Sequence, residues 1–333
     1  MAFMNKTENL GTLTFFHRNL KAGYSINKVV HTIVSTFENR VEYYVPSFRT
    51  SGTLRNLWFV YRHRNKQGIN HLTGGSNYCV MSLIGCKSIL TIHDTVFMDF
   101  NRSSKLMKLY MEWMWLKIPL KLATKVVCIS NETKRHVCAH STRKDIEVIH
   151  NAIDPSFKTV LKDQALRPRK VLLIGTSSNK NVDRTIQALR GLDCELTVIG
   201  NLSGCQRDLL SSCGIEYRQM ANLSDEQIIQ EYIRCDIVSF VSLFEGFGMP
   251  VIEANKVGRP VIASDIPVIR EVAGDSAVLV DPYDVEAMHQ GFVRLMESEE
   301  LRNRCVEKGL ENVRRFDSIH IREQWLDLYE RLI

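Results

Sequence analysis

Two glutamates eight residues apart, Glu245 and Glu253, flank the run Gly246-Phe247-Gly248-Met249-Pro250 in a chain of 333 residues. Ionised carboxylates only accept hydrogen bonds, so whatever they bind must bring donors, and sugar hydroxyls are such donors. Gly246 and Gly248 let a ligand approach the backbone, and proline just inside a helix start loses nothing by lacking an N–H. The apolar run before this stretch, Asp236 to Ser242, predicts a strand. A strand feeding a helix N-terminus through glycines offers free N–H groups and a positive dipole end to phosphate. Glu245 falls on the loop and Glu253 about one turn inside the helix, so they are not an acid/base pair. They suit the hexose and the ribose of one ligand, with phosphates between: a nucleotide sugar.

Three further segments hold candidate groups. Gly175-Thr176-Ser177-Ser178-Asn179-Lys180 follows a strand, and its amides together with Lys180 would neutralise a departing diphosphate. Ile92-His93-Asp94-Thr95 follows another strand at its carboxyl end, where open α/β sheets place ligands. His93 there could bond a reacting sugar or orient an acceptor, with Asp94 fixing its tautomer or serving as a base. Gly23, in Lys21-Ala22-Gly23-Tyr24-Ser25, is the glycine after the first strand, and His71 closes a strand in either a structural or an acceptor-facing role. His136, Cys138 and His140 alternate on a helix, which turns Cys138 about 200° away from His136, so no metal site is expected. Nor does any D-x-D occur.

The elements that must position these groups alternate between short apolar strands and helical patterns from Leu13 to Val280, as doubly wound parallel sheets require. Strands are expected at Leu13 to His17, Val41 to Pro46, Asn70 to Thr73, Ser88 to His93, Lys125 to Ser130 and Glu147 to His150. The second half adds Lys170 to Gly175, Glu195 to Gly200, Asp236 to Ser242, Pro260 to Ser264 and Ala277 to Val280. Ser224 with Gln227 marks a capped helix start. Asn151-Ala152-Ile153-Asp154-Pro155 and the polar residues to Arg169 form the expected hinge between two domains. Ser104 to Leu120 is apolar nearly all round and is expected in the core.

With these residues in view, Glu245 and Glu253 about Gly-Phe-Gly, followed by Gly258-Arg259-Pro260-Val261-Ile262-Ala263-Ser264, resemble the retaining glycosyltransferases of the GT-B fold, family 4 type (glycosyl transferases group 1). The resemblance implies an α/β fold of two Rossmann-like domains facing a central cleft. Residues 1–155 would form the acceptor-side domain and 156–317 the nucleotide-sugar domain, with a last helix, 318–333, crossing back to the first. It implies Glu245 near the donor sugar, Glu253 on the ribose, and a histidine contacting the donor sugar at the strand end where His93 stands. Gly23, Gly175, Lys180, Gly246, Phe247, Gly248 and Met249 would surround the donor. The family's usual arginine after the loop glycine is Thr176 here, so another cation substitutes or hydroxyls and amides bind alone. Gln219 to Ser224 takes the place of the loop against the base and leaves UDP and GDP open. The implied activity is retaining, metal-independent and cofactor-free transfer of a hexose from a nucleotide diphosphate sugar to a lipid-linked or nascent surface glycan, by front-face attack assisted by the leaving phosphate. Bacterial polysaccharide assembly, such as lipopolysaccharide or capsule, is the implied setting. The rivals are a catalytically silent GT-B partner module and a GT-B phosphorylase.

Composition bounds the setting. A hydrophobic share of 44% over 333 residues fills two cores. No apolar run reaches the roughly 18 residues of a membrane span, the N-terminus has no signal-peptide pattern, and nine cysteines without a C-x-x-C fit free thiols, so a cytoplasmic location is expected. Residues 1–155 hold 21 Lys+Arg against 10 Asp+Glu, a charge of +11, which leaves 22 against 27, or −5, for the rest. The basic half, with Arg62-His63-Arg64-Asn65-Lys66 and Lys105, Lys108, Lys117, Lys121 and Lys125, suits an anionic membrane surface or a lipid-phosphate acceptor, with peripheral attachment at the inner face. No recognition motif accompanies these cations, so nucleic acid is not an expected partner.

Overall fold

The computed structural model describes residues 11–22, 24–47, 50–95 and 105–333. The chain divides into two units, one running to Asp154 and regaining Asp317–Ile333, the other Pro155–Phe316. Gly23 lies outside the described residues.

The first unit is built on six strands: β1 (Leu13–His17), β2 (Arg40–Tyr44), β3 (Ile69–Leu72), β4 (Lys87–Ile92), β5 (Lys125–Cys128) and β6 (Ile146–Val148). All pair in parallel in the order β2-β1-β3-β4-β5-β6. Every residue of β1 is buried, because helices cover both faces of such a sheet. On one face, Phe16, Leu72, Leu90 and Val126 meet helical segments that include Val60, Tyr78, Leu83 and Leu120. On the other, Phe15, Ile69, Ile89 and Val127 meet Ile33 and Val34 of helix Tyr24–Val34 and Ile321, Trp325, Leu328 and Tyr329 of helix Ser318–Glu330. Burying each such large apolar side chain stabilises by roughly 1.5–3 kcal/mol, which is how the last helix is held to this sheet. Asp317 starts that helix by accepting the Ile319 N–H at 2.9 Å.

The segment expected in the core is largely outside it. Helix Lys105–Met111 continues through a π-helical stretch, Glu112–Lys117, into Ile118–Leu122. Leu116, Pro119 and Leu120 are buried, whereas Leu106, Leu109, Tyr110 and Trp113 are exposed. Only the distal turns reach the sheet, so burial there cannot be read from overall apolarity. Pro119 lacks the N–H that would close an α-helical bond, and the chain passes it after the wider π turn rather than breaking.

The second unit has β7 (Lys170–Ile174), β8 (Glu195–Ile199), β9 (Glu216–Met220), β10 (Ile237–Phe240), β11 (Val261–Ser264) and β12 (Ala277–Val280), parallel in the order β12-β11-β10-β7-β8-β9. β9 contradicts the expected loop at Gln219-Met220. Its sequence, Glu-Tyr-Arg-Gln-Met, has no apolar run because an edge strand pairs on one side only and stays mostly wet. Ser203 with Gln206 and Ser224 with Gln227 form reciprocal capping boxes. Arg259 is fully buried and donates to Val160, Val257, Gly258 and Ile233 carbonyls at 2.7–3.2 Å, satisfying acceptors that helix ends leave open.

Both strand orders reverse direction once at the origin of the winding. In the first unit this happens between β1 and β3, and in the second between β7 and β10. The crevice beyond the carboxyl ends of such strands is where doubly wound sheets hold ligands.

Candidate functional site

At the β7/β10 reversal the two predicted donor loops are tied to one another. After β7 come Gly175 and Thr176, a single turn at Ser178–Lys180 and helix Val182–Leu189. Beyond β10, residues 241–248 lead into helix Met249–Val257, with Gly248 as its N-cap and Pro250 in its first turn. Gly248 has φ +122°, and a Cβ on it would stand 2.8 Å from Ile269 Cδ1, so only glycine lets this loop enter the helix here. Lys180 Nζ donates to Glu245 Oε1 at 2.6 Å and stands 4.7 Å over the Phe240 ring. Asn179 Nδ2 lies 3.3 Å from the same oxygen, and the Leu243 N–H donates to Asn179 O at 2.8 Å. Lys180 and Glu245 are 19% and 15% exposed, shielded enough for the pair to matter yet open at one side.

Glu253 lies further along the helix. Tyr232, fully buried on helix Asp225–Arg234, donates its hydroxyl to Glu253 Oε2 at 2.5 Å. Burial, reinforced by the carboxylate, raises the phenol far above its ordinary pKa, so it stays a donor at any working pH. Sequence reasoning missed Tyr232, whose signal is only an aromatic on the inner stripe of a helix. Phe247 turns its side chain inward, edge-on to Phe316 with centroids 5.7 Å apart, so a ligand at this turn meets backbone rather than ring. Thr176 packs against Gly200, where a Cβ would sit 2.7 Å from its methyl. Arg184, on the following helix, stands over Tyr283 at 5.5 Å and bonds Asn181.

In the first unit, His93 is buried just past β4, one strand beyond the β1/β3 reversal. Its Nε2 bonds Thr73 O at 2.8 Å, and since a carbonyl only accepts, the proton sits on Nε2 and Nδ1 keeps a lone pair. Burial lowers its pKa, outweighing the Thr73 carbonyl and Asp94, so the ring is neutral near pH 7. Gly74 has φ +109°, and a Cβ there would lie 2.4 Å from His93 Cδ2; the glycine leaves room for the ring. Thr73 also connects to His17, whose Nδ1 is 3.0 Å from its hydroxyl and whose Nε2 is 3.2 Å from Glu42 Oε2. Asp94 is half-buried on the same rim; burial lowers the pKa of Arg18, and the Asp94 charge offsets only part of that. Arg18, directly after β1, was missed in the sequence; its place beside a strand end was the available signal. His71 resolves as structural. It bonds Tyr329 OH at 2.8 Å and Thr91 Oγ1 at 2.7 Å inside the core.

Among the described residues no three His, Cys, Asp or Glu side chains gather as a metal would need, and no helix is long and apolar enough to cross a membrane. The geometry therefore offers, within the second unit, a cation and a carboxylate on adjacent loops and a fixed carboxylate on the helix behind.

Comparison with known proteins bears on what such loops belong to. Residues 162–312 match the family model described as glycosyl transferases group 1, and residues 38–157 match glycosyltransferase family 4. Residues 162–312 thus belong with the group 1 glycosyl transferases. Relatives include O-antigen chain mannosyltransferase B of Escherichia coli, 26% identical over 48% of this chain and 45% of that protein. The O-antigen biosynthesis glycosyltransferase WclY of Escherichia coli is 28% identical over 61% of this chain and 60% of that one. The chain thus spans about half the length of the curated relatives it matches. Among solved structures, Anabaena HepE in complex with UDP and glucose superposes with a TM-score of 0.75 over 96% of this chain and all of that one, at 14% identity. That likeness, and that to the lipopolysaccharide outer core galactosyltransferase WaaB at TM-score 0.69, establishes the GT-B fold.

Proposed function

We propose that the protein is a retaining, metal-independent glycosyltransferase that moves a hexose from a nucleotide diphosphate sugar to a lipid-linked or nascent surface glycan. The observation that carries this reading is the Lys180–Glu245 pair at the β7/β10 reversal, with Glu253 fixed on the adjoining helix. An arriving diphosphate competes for Lys180 and takes the N–H groups at the start of helix Met249–Val257; Glu245, freed of its partner, accepts from the sugar hydroxyls. Glu253, positioned by Tyr232, accepts from the ribose hydroxyls. As the bond to the nucleotide breaks, charge grows on the leaving phosphate, where Lys180 stabilises it most. Neutral His93 offers Nδ1 as an acceptor on the first unit, beside Asp94 and Arg18. Retention is read through front-face attack, since no carboxylate of these loops is placed as an evident nucleophile.

The relatives' names support the class of acceptor. One, from Campylobacter jejuni, is named for transfer of N-acetylgalactosamine to a diphospho-undecaprenol-linked sugar. The basic first half adds the attraction of an anionic membrane, at which such an acceptor resides. The test is slow hydrolysis of UDP- and GDP-sugars without acceptor, followed by anomeric assignment of the product by proton NMR. Turnover unaffected by EDTA, an α product from an α donor, and loss of at least 100-fold in Glu245→Ala are expected. A wild-type protein that binds the donor and never turns it over would make it the silent partner module instead.

A further inference from the structure

On the sheet face bearing Phe16 and Leu72, three helical segments lie side by side. Asn56 of helix Thr53–His63 donates to the Tyr78 hydroxyl at 2.7 Å and Ser82 donates to Leu57 O at 2.8 Å, which joins that helix to Asn77–Leu83. Asn77 donates to Trp115 O at 3.0 Å and Tyr78 lies 4.7 Å from the Trp115 ring, which joins Asn77–Leu83 to the segment 105–122. Their inner sides fill the core. The outer sides break the usual pattern.

Leu54, Trp58 and Tyr61 recur at i, i+4 and i+7, within about 60° of arc on the helix, and are 81%, 59% and 54% exposed. Leu106, Tyr110 and Trp113 repeat the spacing at 81%, 45% and 48% exposure. A surface helix ordinarily turns one apolar stripe inward and keeps the other side polar. These carry a second apolar stripe facing out. Cations border it: the Arg62 guanidinium stands 4.9 Å from the Trp58 ring, Arg64 3.5 Å from Tyr61, and Lys117 Nζ 5.2 Å from Trp113. Segments 53–66, 77–83 and 105–122 together contain eight Lys and Arg against one acid, Glu112, which is tied to Lys117 at 2.8 Å.

We propose that this outer helical layer is the surface by which the first unit rests on an anionic lipid bilayer. Leu54, Trp58, Leu106 and Trp113 enter the headgroup boundary, and the bordering cations meet lipid phosphates. Tryptophan and tyrosine favour that boundary because one end of the ring is apolar and the other wets, while long cationic side chains reach outward to the headgroups. Charge selects the occupant. A second copy of this chain would set this cationic face against itself, at the cost of like-charge repulsion, whereas an anionic bilayer complements it. The proposal extends the lipid-linked acceptor reading by naming the surface, yet its test needs neither donor nor acceptor, so its failure leaves the transferase reading standing.

The full chain is floated with phosphatidylcholine vesicles, with and without one-third phosphatidylglycerol, at low and high salt. Binding to the anionic vesicles only, weakened by salt, is expected. Each of Arg55→Gln and Arg62→Gln should lower partitioning about fivefold, the equivalent of ~1 kcal/mol per basic residue, and Trp58→Ser with Trp113→Ser should abolish it and the accompanying blue shift of tryptophan emission. All four side chains are outward, so unchanged circular dichroism separates lost binding from lost folding. Equal binding to neutral vesicles, variants that bind like the parent, or self-association through this face would overturn the proposal.

Discussion

Lys180 and Glu245 are each the other's nearest charge, and the 2.6 Å bond between them occupies one ammonium N–H and one carboxylate oxygen, so a ligand that takes either weakens the pair. An ion pair of this kind, mostly shielded, is costly to leave half-broken, so on the proposed reading diphosphate and sugar are best bound together. Tyr232 shows the same economy at Glu253. Its hydroxyl holds one oxygen of the carboxylate. Tyr232→Phe removes that bond while keeping the buried ring against Phe157, whose centroid lies 5.5 Å away. The variant should fold normally, and the preference for a ribonucleoside diphosphate over its 2′,3′-dideoxy counterpart should fall about tenfold, the equivalent of ~1.4 kcal/mol. Calorimetric titration of both ligands measures it. Undiminished discrimination would mean that Glu253 does not read the ribose through this contact.

His71 binds elements rather than ligands, joining β3 to Thr91 on β4 and to Tyr329 on the last helix. Burial depresses its pKa to about 3. In the unfolded chain the ring titrates near its ordinary value of about 6.5, so between these values the unfolded state holds more protons, and stability rises with pH across the window. Acidification from pH 7 to 5 should therefore destabilise the first unit by up to roughly 1.4 kcal/mol per pH unit for this one group. His71→Gln should flatten the pH dependence of the melting temperature by that amount. A slope unchanged by the substitution would contradict the assignment. His17 and His93, also buried with lowered pKa values, act in the same direction.

At this scale the sequence was legible where packing leaves a period. Fully buried strands such as β1 and β10 show as apolar runs, and Ser224 with Gln227 marks its helix start because a capping box is a local interaction. The loops after β7 and β10 are legible for the same reason, since strand, glycine and proline act within a few residues of one another. β9 left no signal, as an edge strand has one hydrogen-bonded neighbour and no need of apolar residues. Segment 105–122 misled because apolar residues alone do not say which side of a helix meets the sheet. The Lys180–Glu245 and Tyr232–Glu253 contacts join residues 65 and 21 positions apart, beyond what spacing reveals.

Over the whole molecule, charge and topology divide the labour. The first half is basic and carries an outward apolar layer; the second is mildly acidic, and Lys180 and Glu245 meet at its strand reversal. If the proposed donor site is right, a nucleotide diphosphate binds at the β7/β10 crevice, where Lys180 and a helix start lie together. Calorimetric titration with UDP, GDP and their sugar conjugates tests this most directly. Binding of one nucleotide class is expected, weakened at least tenfold by Lys180→Ala for both the bare diphosphate and its sugar conjugate. Glu245→Ala should weaken the conjugate alone and leave the bare diphosphate bound as tightly or more so, because Lys180 is then free. Equal loss of both ligands in Glu245→Ala, or binding indifferent to Lys180, would contradict the account.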